Sequence, residues 1–448
     1  LNQDLVYTDL SSRAMVEKAV EELKNSGLSE EELKQVTVVM VEEGGHALAL
    51  LSAARFDHPA KKLVMIGVTG TKGKTTTTHM IRAILLAAGK KVGMIGTTGT
   101  VIGDVVTPTL NTTPESYELH QAFAQMVEAG CEYAVMEVSS QGIKMHRTDW
   151  LYFNYAIFTN ISPDHIGPGE HADFEEYLYY KTRLLNMCGI GLVNKDDKHA
   201  PQIIKAANCE LYTYSEESKE ADFVASDIRY VSQPDFVGTE FHISGKYDME
   251  VRLGIPGLFN VVNALAAVSV CSFLGLDQAR ISHALENIRV NGRMEIVYTS
   301  ERCTVLVDYA HNAVSMESLL STLRDYKPKR LVCVFGCGGN RSKDRRYSMG
   351  EIGGKMADLS IITADNSRYE KVEDIIADIR GSIEKTGGKF IEIPDRREAI
   401  RYSILHAQPG DMVAVIGKGH EDYQEINGVR HHFLDREVIE ETVKELGE

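Results

Sequence analysis

The stretch Lys62–Ala83, KLVMIGVTGTKGKTTTTHMIRA, predicts a buried strand, a glycine-rich turn and the start of a helix. The apolar run ends at Val68, the glycines of TGTKGK free the backbone to wrap an anion, and the helix points its first N–H groups at that anion. Lys74 is placed to bridge nucleotide phosphates and Thr75 to reach Mg²⁺. The loop is a variant of the common phosphate-binding pattern, because Val68 stands where a glycine is usual.

The composition is that of an ordinary globular protein with a net negative charge. The chain has 448 residues, with 48 lysines and arginines against 64 aspartates and glutamates, for a formal charge of −16. This balance argues against nucleic acid or an anionic membrane as the main partner, so a polyanionic ligand must be bound by a local cluster of donors. No apolar run or leader suggests membrane insertion, and seven cysteines without paired spacing suit a reducing compartment. We therefore expect a cytoplasmic protein.

The order of patterns along the chain predicts three segments. Residues 1–60 read as a short acidic N-terminal segment with amphipathic helical stretches at Ser11–Lys24 and Ser29–Val41. Residues 61–292 alternate strand-like and helix-like runs, which predicts a P-loop central domain with a mostly parallel sheet. Residues 293–448 alternate again and predict a smaller, doubly wound, Rossmann-like C-terminal domain. The predicted fold class is α/β.

Polar side chains follow two further strand-like runs of the central segment, where parallel sheets bind ligands. Glu137 and Ser139 lie at the end of YAVMEV, and Asp164 and His165 follow YAIFTNI. A carboxylate and an imidazole facing a nucleotide phosphate would complete the ligands of Mg²⁺. An Asp-His pair in a turn is also a common hydrogen-bonded brace, but the serial placement after consecutive strands favours the ligand interpretation. Lys181, within FEEYLYYKTRLL, reads on its own as a solvated helical side chain.

The third segment places four polar groups after its own apolar strands. These groups are Asp308–Asn312, Gly336–Arg341, Asp365–Arg368 and Gly417–Glu421. Carboxyl ends of parallel strands share one edge of a sheet, so the four groups should converge on one rim. An arginine binds a carboxylate bidentately and a glutamate binds an ammonium group, which suits a zwitterionic amino acid as ligand.

These motifs, in this order, resemble the Mur ligase family from about Ala47 to the C-terminus. The resemblance rests on TGTKGKTTT (69–77), NTTPES (111–116), EVSS (137–140), HR (146–147), FTNISPDHIG (158–167), YK (180–181), GLFNVVNALAA (257–267), NGRME (291–295), DYAHN (308–312), FGCGGNR (335–341) and GKGHE (417–421). Within the family the chain is most similar to ligases that add the third residue of the peptidoglycan stem peptide.

The resemblance implies ATP and two Mg²⁺ ions as cofactors. The implied ATP-binding positions are Thr71, Lys72, Gly73, Lys74, Thr75 and Thr76 for the phosphates, Asn260 and Asn263 for the adenine side, Arg293 for the phosphates and Asp308 for the ribose. The implied metal ligands are Thr75, Glu137, His165 and Lys181, and the implied catalytic residues are Lys74, Glu137, His165 and Lys181. In this interpretation Lys181 is carbamylated, which replaces the solvated-surface interpretation.

The resemblance also implies two sets of substrate contacts. The acceptor would meet Thr112, Thr113, Ser139 and Arg147. The incoming amino acid would meet Arg341, Asp365, Asn366, Arg368, Gly417 and Glu421. Because Arg368 can pair with a distal carboxylate that lysine lacks, we expect diaminopimelate to be preferred over lysine.

Three features depart from the family pattern. Residues 1–60 are shorter than the family's first domain, and Asp9–Arg13 is a weak counterpart of its Asp-Ser-Arg element. We therefore expect the uridine end of the acceptor to contribute little to binding. Ser367 replaces a proline in the element that selects diaminopimelate, and Met145 stands where a polar residue is common.

The expected activity is ATP-dependent amide formation on UDP-N-acetylmuramoyl-L-alanyl-D-glutamate during peptidoglycan synthesis. The γ-phosphoryl group passes to a carboxylate, and the amine of an amino acid attacks the resulting acyl phosphate. The alternatives are a folate polyglutamylating ligase, a similar ligase with an acceptor that carries no UDP, and a nucleotide-binding regulatory protein without ligase activity. We expect small-molecule partners and a monomer.

Overall fold

The computed structural model describes Glu21, Ser29, Glu31 and residues 41–447. Apart from isolated positions, the predicted helices at Ser11–Lys24 and Ser29–Val41 and the Asp9–Arg13 element lie outside the described residues. Among the described residues, no helix combines the length and the apolar character that crossing a membrane requires.

The helices and strands alternate along much of the chain, as the patterns predict, apart from several runs of consecutive strands. The helices are α1 (Gly44–Arg55), α2 (Lys74–Ala87), α3 (Ser116–Glu128), α4 (Ser140–Lys144), α5 (Phe174–Thr182), α6 (Ala200–Ala206), α7 (Leu258–Phe273), α8 (Gln278–Glu286), α9 (Ala313–Asp325), α10 (Asp344–Met356), α11 (Val372–Thr386), α12 (Arg396–Leu405) and α13 (Asp435–Glu445). The strands are β1 (Val64–Thr69), β2 (Val92–Gly96), β3 (Gly99–Ile102), β4 (Val105–Thr107), β5 (Tyr133–Glu137), β6 (Phe153–Phe158), β7 (Cys188–Asn194), β8 (Glu210–Ser215), β9 (Phe223–Gln233), β10 (Phe236–Gly245), β11 (Met249–Leu253), β12 (Glu295–Thr299), β13 (Cys303–Asp308), β14 (Arg330–Phe335), β15 (Leu359–Ile362), β16 (Phe390–Glu392), β17 (Asp411–Ile416), β18 (Tyr423–Ile426) and β19 (Val429–His432).

The chain forms two compact units. The first contains the residues up to Asp222 together with Ala266–Leu276, and the second contains Phe223–Leu265 together with the residues from Asp277 onward. The domain boundaries that the sequence predicts at residues 61 and 292 stay predictions.

The first unit is built on a mixed sheet with β1 near its middle. The strand order is β8-β7-β6-β1-β5-β2-β3-β4, parallel from β8 to β2 and antiparallel from β2 to β4. Val68 pairs with Glu137 on β5, and Thr69 pairs with Phe158 on β6. The turns after β1, β5 and β6 therefore share one edge of the sheet. Gly67 allows close packing in β1, since a Cβ there would lie 2.8 Å from the Phe153 ring.

The second unit contains a six-stranded sheet, a three-stranded antiparallel sheet and a hairpin. The six strands have the order β12-β13-β17-β14-β15-β16 and are parallel except at β12. The carboxyl ends of β13, β17, β14 and β15 therefore lie side by side. Strands β9, β10 and β11 pair in antiparallel fashion. This sheet was not predicted, because the whole of residues 61–292 reads as alternating strands and helices of a mostly parallel sheet.

A buried ion pair lies beneath the carboxyl ends of the second unit's parallel strands. Arg396 begins α12 and Asp435 begins α13, and the guanidinium donates two hydrogen bonds of 2.7 Å to the carboxylate. Both side chains are fully buried. The Arg396 guanidinium also donates to the carbonyl oxygens of Ala364 at 3.2 Å and Ile416 at 3.0 Å. Ala364 and Ile416 immediately precede the loops that begin at Asp365 and Gly417. The Arg396 side chain therefore holds the backbone at the start of both loops.

Candidate active site

The glycine-rich turn after β1, which is the predicted phosphate-binding loop, is held by the turn after β6. A Cβ on Gly70 would lie 1.9 Å from Thr159 Oγ1, and the Gly70 φ is 142°, so this position requires glycine. The Lys72 N–H donates to Asn160 Oδ1 at 2.9 Å, and the Thr159 hydroxyl donates to the Lys72 carbonyl at 2.7 Å. These hydrogen bonds fix the backbone that leads into α2, and a helix N-terminus offers N–H groups to a phosphate.

The other residues of this loop make contacts of their own, and their role in ATP binding stays a prediction. Gly73 caps α2 with a φ of 85°, and Thr76 is buried in the first helical turn. The Thr71 hydroxyl lies 3.1 Å from the Tyr177 hydroxyl and donates to the Ser162 carbonyl at 3.2 Å. The loop is thus tied to α5 and to the turn after β6.

Two lysine ammonium groups contact the same carbonyl of this loop. Lys74 Nζ donates to the Gly70 carbonyl at 2.9 Å, and Lys181 Nζ donates to it at 2.8 Å. Lys181 is 2% exposed and lies 4.7 Å from the centre of the Tyr177 ring. Burial holds the pKa of Lys181 well below its usual range, and the charge of Lys74 acts in the same direction. The interpretation of Lys181 as a solvated side chain is therefore wrong.

The carboxylate of Glu137 lies at the end of β5 and is buried. Its Oε1 accepts hydrogen bonds from the Thr75 hydroxyl at 3.0 Å and the Thr97 N–H at 2.9 Å, and its Oε2 accepts from the Thr97 hydroxyl at 3.2 Å. Gly96 leaves room for the carboxylate, because a Cβ there would lie 2.3 Å from Oε1. Carboxylate and hydroxyl oxygens are the donors that Mg²⁺ prefers. Thr75 and Glu137 therefore fit a magnesium ion.

His165 lies on an exposed turn and adopts a φ of 52°. Its Nδ1 is 3.1 Å from Glu170 Oε1, and its ring centre is 6.1 Å from that of Tyr177. The structure gives His165 the contacts of a loop brace. Its role as a metal ligand stays a prediction.

The four predicted acceptor contacts are linked to Glu137 and to one another. The Thr113 hydroxyl donates to the Glu137 carbonyl at 3.0 Å and accepts from the Ser139 N–H at 2.9 Å. The Arg147 guanidinium donates to the Thr113 carbonyl at 3.2 Å, and Thr112 Oγ1 lies 3.1 Å from the Thr97 hydroxyl. Thr113 is fully buried and braces this cluster. Direct contact of the four residues with an acceptor stays a prediction.

The predicted adenine and ribose positions lie in the second unit. Asn260 Nδ2 donates to the Pro256 carbonyl at 2.7 Å, and Asn263 Nδ2 donates to Asn260 Oδ1 at 3.2 Å. The Arg293 guanidinium lies 5.0 Å from the centre of the Tyr309 ring.

The carboxylate of Asp308 is held by the backbone. It accepts the N–H groups of Met294 at 2.8 Å and Ala310 at 2.7 Å. Burial raises the pKa of Asp308, while these hydrogen bonds and Arg293 act against the rise. In this structure Asp308 braces the start of β12, and its contact with a ribose stays a prediction.

The predicted amino-acid site lies where β14, β15 and β17 end. Asn366 Nδ2 donates to Glu421 Oε2 at 2.9 Å. The Arg368 guanidinium donates to the Gly339 carbonyl at 2.9 Å and lies 3.5 Å from the Glu425 carboxylate.

The other predicted contacts flank this pair. Gly417 has a φ of 113°, and a Cβ there would lie 2.6 Å from the Asp365 carboxylate. The positive φ and the lack of space for a Cβ both favour glycine at this position. Arg341 is exposed on the loop after β14, close to Gly338. The convergence of these strand ends on one rim is thus confirmed.

Sequence reasoning missed three residues that hold the site. Thr97 holds both oxygens of Glu137, and Tyr177 links α5 to the phosphate loop. Lys418 is fully buried, and its ammonium donates to Asn366 Oδ1 at 3.2 Å and to Glu421 Oε2 at 3.3 Å. A signal for Lys418 exists in GKGHE, where a lysine stands between two glycines directly after a buried strand.

The chain is similar to known proteins along most of its length. The Mur ligase middle domain matches residues 68–271, and the Mur ligase, glutamate ligase domain matches residues 292–419. The UDP-N-acetylmuramoyl-L-alanyl-D-glutamate--2,6-diaminopimelate ligase of Caldanaerobacter subterraneus subsp. tengcongensis is 40% identical over 416 residues, 92% of this chain and 84% of that protein. The chain belongs to the Mur ligase family. The Clostridioides difficile protein of the same name is 37% identical over 96% of this chain and 89% of its own length.

Solved structures of Mur ligases and related enzymes share the fold. A structure of a UDP-N-acetylmuramoyl-L-alanyl-D-glutamate--2,6-diaminopimelate ligase has a TM-score of 0.72 and 32% identity, covering 96% of this chain and 90% of that one. The folylpolyglutamate synthase of Thermotoga maritima has a TM-score of 0.65 at 18% identity, covering 83% and 90%. The second likeness shows the fold alone. As a Mur ligase, the protein is an ATP-dependent, ADP-forming acid–amino-acid ligase, and Mg²⁺ is typical of the family.

Proposed function

We propose that this Mur ligase joins diaminopimelate to the D-glutamate of UDP-N-acetylmuramoyl-L-alanyl-D-glutamate. The observation that carries the proposal is the match, at 40% identity over 92% of the chain, to a relative named for this reaction. In this proposal the phosphate loop contacts the nucleotide, the Thr75–Glu137 pair contacts the metal and the Asn366–Glu421 pair contacts the amino acid. We further propose a monomeric cytoplasmic enzyme, in keeping with its free cysteines.

The reaction consists of two transfers at one carboxylate. The acceptor carboxylate attacks the γ-phosphorus of ATP and ADP leaves, and the amine then attacks the acyl phosphate and releases inorganic phosphate. Lys74 holds the phosphates, and Thr75, Glu137, His165 and Lys181 would hold two Mg²⁺ ions. Bound Mg²⁺ neutralises the charge of the transferring phosphoryl group.

A coupled assay tests the whole proposal. Phosphate release should require ATP, a muramoyl-dipeptide acceptor and diaminopimelate together, and the ligated product should appear in equal amount. Since the uridine end is expected to contribute little, kcat/KM for the acceptor without UDP should lie within about tenfold of that for the UDP-linked form. Phosphate release in the absence of both the acceptor and diaminopimelate would indicate a simple ATPase. Phosphate release with a folate acceptor would favour the polyglutamylating alternative. Nucleotide binding without any turnover would favour the regulatory alternative.

Lys181 is proposed to carry a carbamate in the active enzyme. A neutral amine adds to CO₂ and releases one proton, and the lowered pKa of Lys181 favours the neutral amine. Lys181→Ala should lose most activity, and a short-chain carboxylate should restore part of it by replacing the missing carboxyl group. Lys90→Ala removes a surface lysine paired with Glu132 and should change nothing. Full activity of Lys181→Ala would refute the role.

Arg368 is proposed to select diaminopimelate over lysine. A charge-assisted hydrogen bond from Arg368 to the distal carboxylate of diaminopimelate contributes about 1.5–3 kcal/mol, so kcat/KM should favour diaminopimelate at least tenfold. Arg368→Met should lower kcat/KM for diaminopimelate and leave the low value for lysine unchanged. Arg430→Met, at an exposed arginine over the Tyr423 ring, serves as the control. Equal or better use of lysine by the unaltered enzyme would overturn the assignment.

A further inference from the structure

A cluster of two imidazoles and a carboxylate lies outside the nucleotide and amino-acid sites. His46 belongs to α1, and His146 and Asp149 flank the turn that carries Arg147. Residues separated by about a hundred positions in the chain are thus brought together within the first unit. The ligand atoms that these three residues offer all lie within 4.8 Å of one another.

Both imidazoles point the same nitrogen at one oxygen. His46 Nδ1 lies 2.6 Å from Asp149 Oδ2, and His146 Nδ1 lies 2.8 Å from the same atom. The Asp149 side chain is 18% exposed, whereas those of His46 and His146 are 48% and 36% exposed. The carboxylate is therefore held in place while both rings remain accessible to an ion from solvent.

The turn is shaped to present this group. His146 has a φ of 58° and Trp150 a φ of 66°, left-handed conformations that side chains other than glycine adopt infrequently. The His46 ring packs 5.1 Å from the Trp150 ring, which fixes the imidazole on one side. Glu43 Oε2 lies 3.9 Å from His146 Nε2 and brings a second carboxylate to the rim.

We propose that His46, His146 and Asp149 form a binding site for a divalent transition-metal ion of the zinc class. Two imidazole nitrogens and one carboxylate oxygen are donors that suit Zn²⁺, whereas Mg²⁺ takes oxygen ligands. In a tetrahedral zinc site the nitrogen and oxygen ligands stand about 3.3 Å apart, so small rotations of the exposed rings open the present contacts to that distance. The metal takes the Nδ1 position of each neutral ring while the ring proton moves through solvent to Nε2, and a fourth position is left for water.

This site is independent of the proposed function, since it uses none of the residues assigned to ATP or Mg²⁺. It joins α1 to the turn that carries Arg147, which also donates to the Thr113 carbonyl. A bound ion would therefore make the helix that precedes the phosphate loop and the Arg147 turn a single braced element.

Metal titration of the full chain tests the proposal without reference to activity. Zinc binding is measured by isothermal titration calorimetry and by competition with a chromogenic chelator. The unaltered protein should show one site. His46→Ala and Asp149→Asn should each remove this site or weaken its zinc affinity at least tenfold. His432→Ala is the matched control, because it deletes an exposed imidazole paired with a single carboxylate, that of Glu437. All of these proteins contain the same cysteines, so the difference in zinc binding between them excludes any contribution from the thiols.

Cobalt provides the second readout. Co²⁺ should give a visible absorption band of a four- or five-coordinate nitrogen and oxygen site, and millimolar Mg²⁺ should not displace the ion. Circular dichroism at neutral pH establishes that each variant is folded. Identical zinc stoichiometry and affinity in the His46→Ala, Asp149→Asn and unaltered proteins would overturn the proposal, as would a cobalt band that persists in both variants.

Discussion

Replacing His120 by leucine should remove a source of acid sensitivity from the first unit. His120 belongs to α3 and is 1% exposed, and within the described part of the chain neither ring nitrogen has a hydrogen-bond partner. Burial lowers its pKa from 6.5 to about 4, and the charge of His58 adds to the effect. Between pH 6.5 and about pH 4, His120 therefore binds a proton in the unfolded chain but not in the folded protein.

The sign and size of the effect follow from proton linkage. The folded-state pKa is depressed, so the stability is fully present above pH 6.5 and is lost progressively as the pH falls toward 4. The loss is about 1.4 kcal/mol at pH 5.5 and approaches about 3 kcal/mol at lower pH. For a unit of this size, about 1.4 kcal/mol corresponds to roughly 3–6 °C in Tm.

Thermal unfolding of the two proteins at a series of pH values measures this difference. The Tm of His120→Leu minus that of the unaltered protein should grow by roughly 3–6 °C between pH 7.5 and 5.5. His432→Leu is a control of opposite sign, because Glu437 raises the pKa of the exposed His432. That pair stabilises the fold at low pH, so its removal should cost stability as the pH falls. A Tm difference for His120→Leu that stays constant with pH would refute the reasoning.

Two further predictions concern side chains that hold the site. Thr97→Val should lower kcat about three- to tenfold, because it removes a hydrogen bond to the Glu137 carboxylate. Thr98→Val, at a buried hydroxyl without a partner among the described residues, should leave kcat unchanged; equal effects would contradict the role of Thr97. Lys418→Met should raise the KM for the amino acid at least tenfold and leave the KM for ATP unaltered, since Lys418 holds Glu421 from within the second unit. A matching rise in both KM values would argue for general disruption.

The sequence predicted those parts of the fold that depend on local patterns. The apolar run at Leu63–Val68 is β1, and the polar groups after β14, β15 and β17 converge because parallel strands end together. The antiparallel strands β9–β11 were missed, because exposed polar residues interrupt β9 and leave no uniform apolar run.

The burial of individual site residues could not be predicted from local patterns. Lys181 reads as solvated because its helix is amphipathic, yet its ammonium meets a carbonyl from residue 70, far away in the sequence. The Thr97 N–H donates a hydrogen bond to the carboxylate of Glu137, which lies 40 positions further along the chain. A one-dimensional pattern records a residue but not the distant group that accepts its hydrogen bond.

The hydrogen bonds that Arg396 donates at the start of two loops bear on how the specificity of this enzyme can change during evolution. Arg396 contacts the carbonyl oxygens of Ala364 and Ile416, and every amino acid supplies a carbonyl. Substitutions within the Asp365–Arg368 and Gly417–Glu421 loops therefore leave their anchor points in place. If the two loops form the proposed amino-acid site, mutation can exchange the amino acid that they bind while the frame that presents them is inherited unchanged.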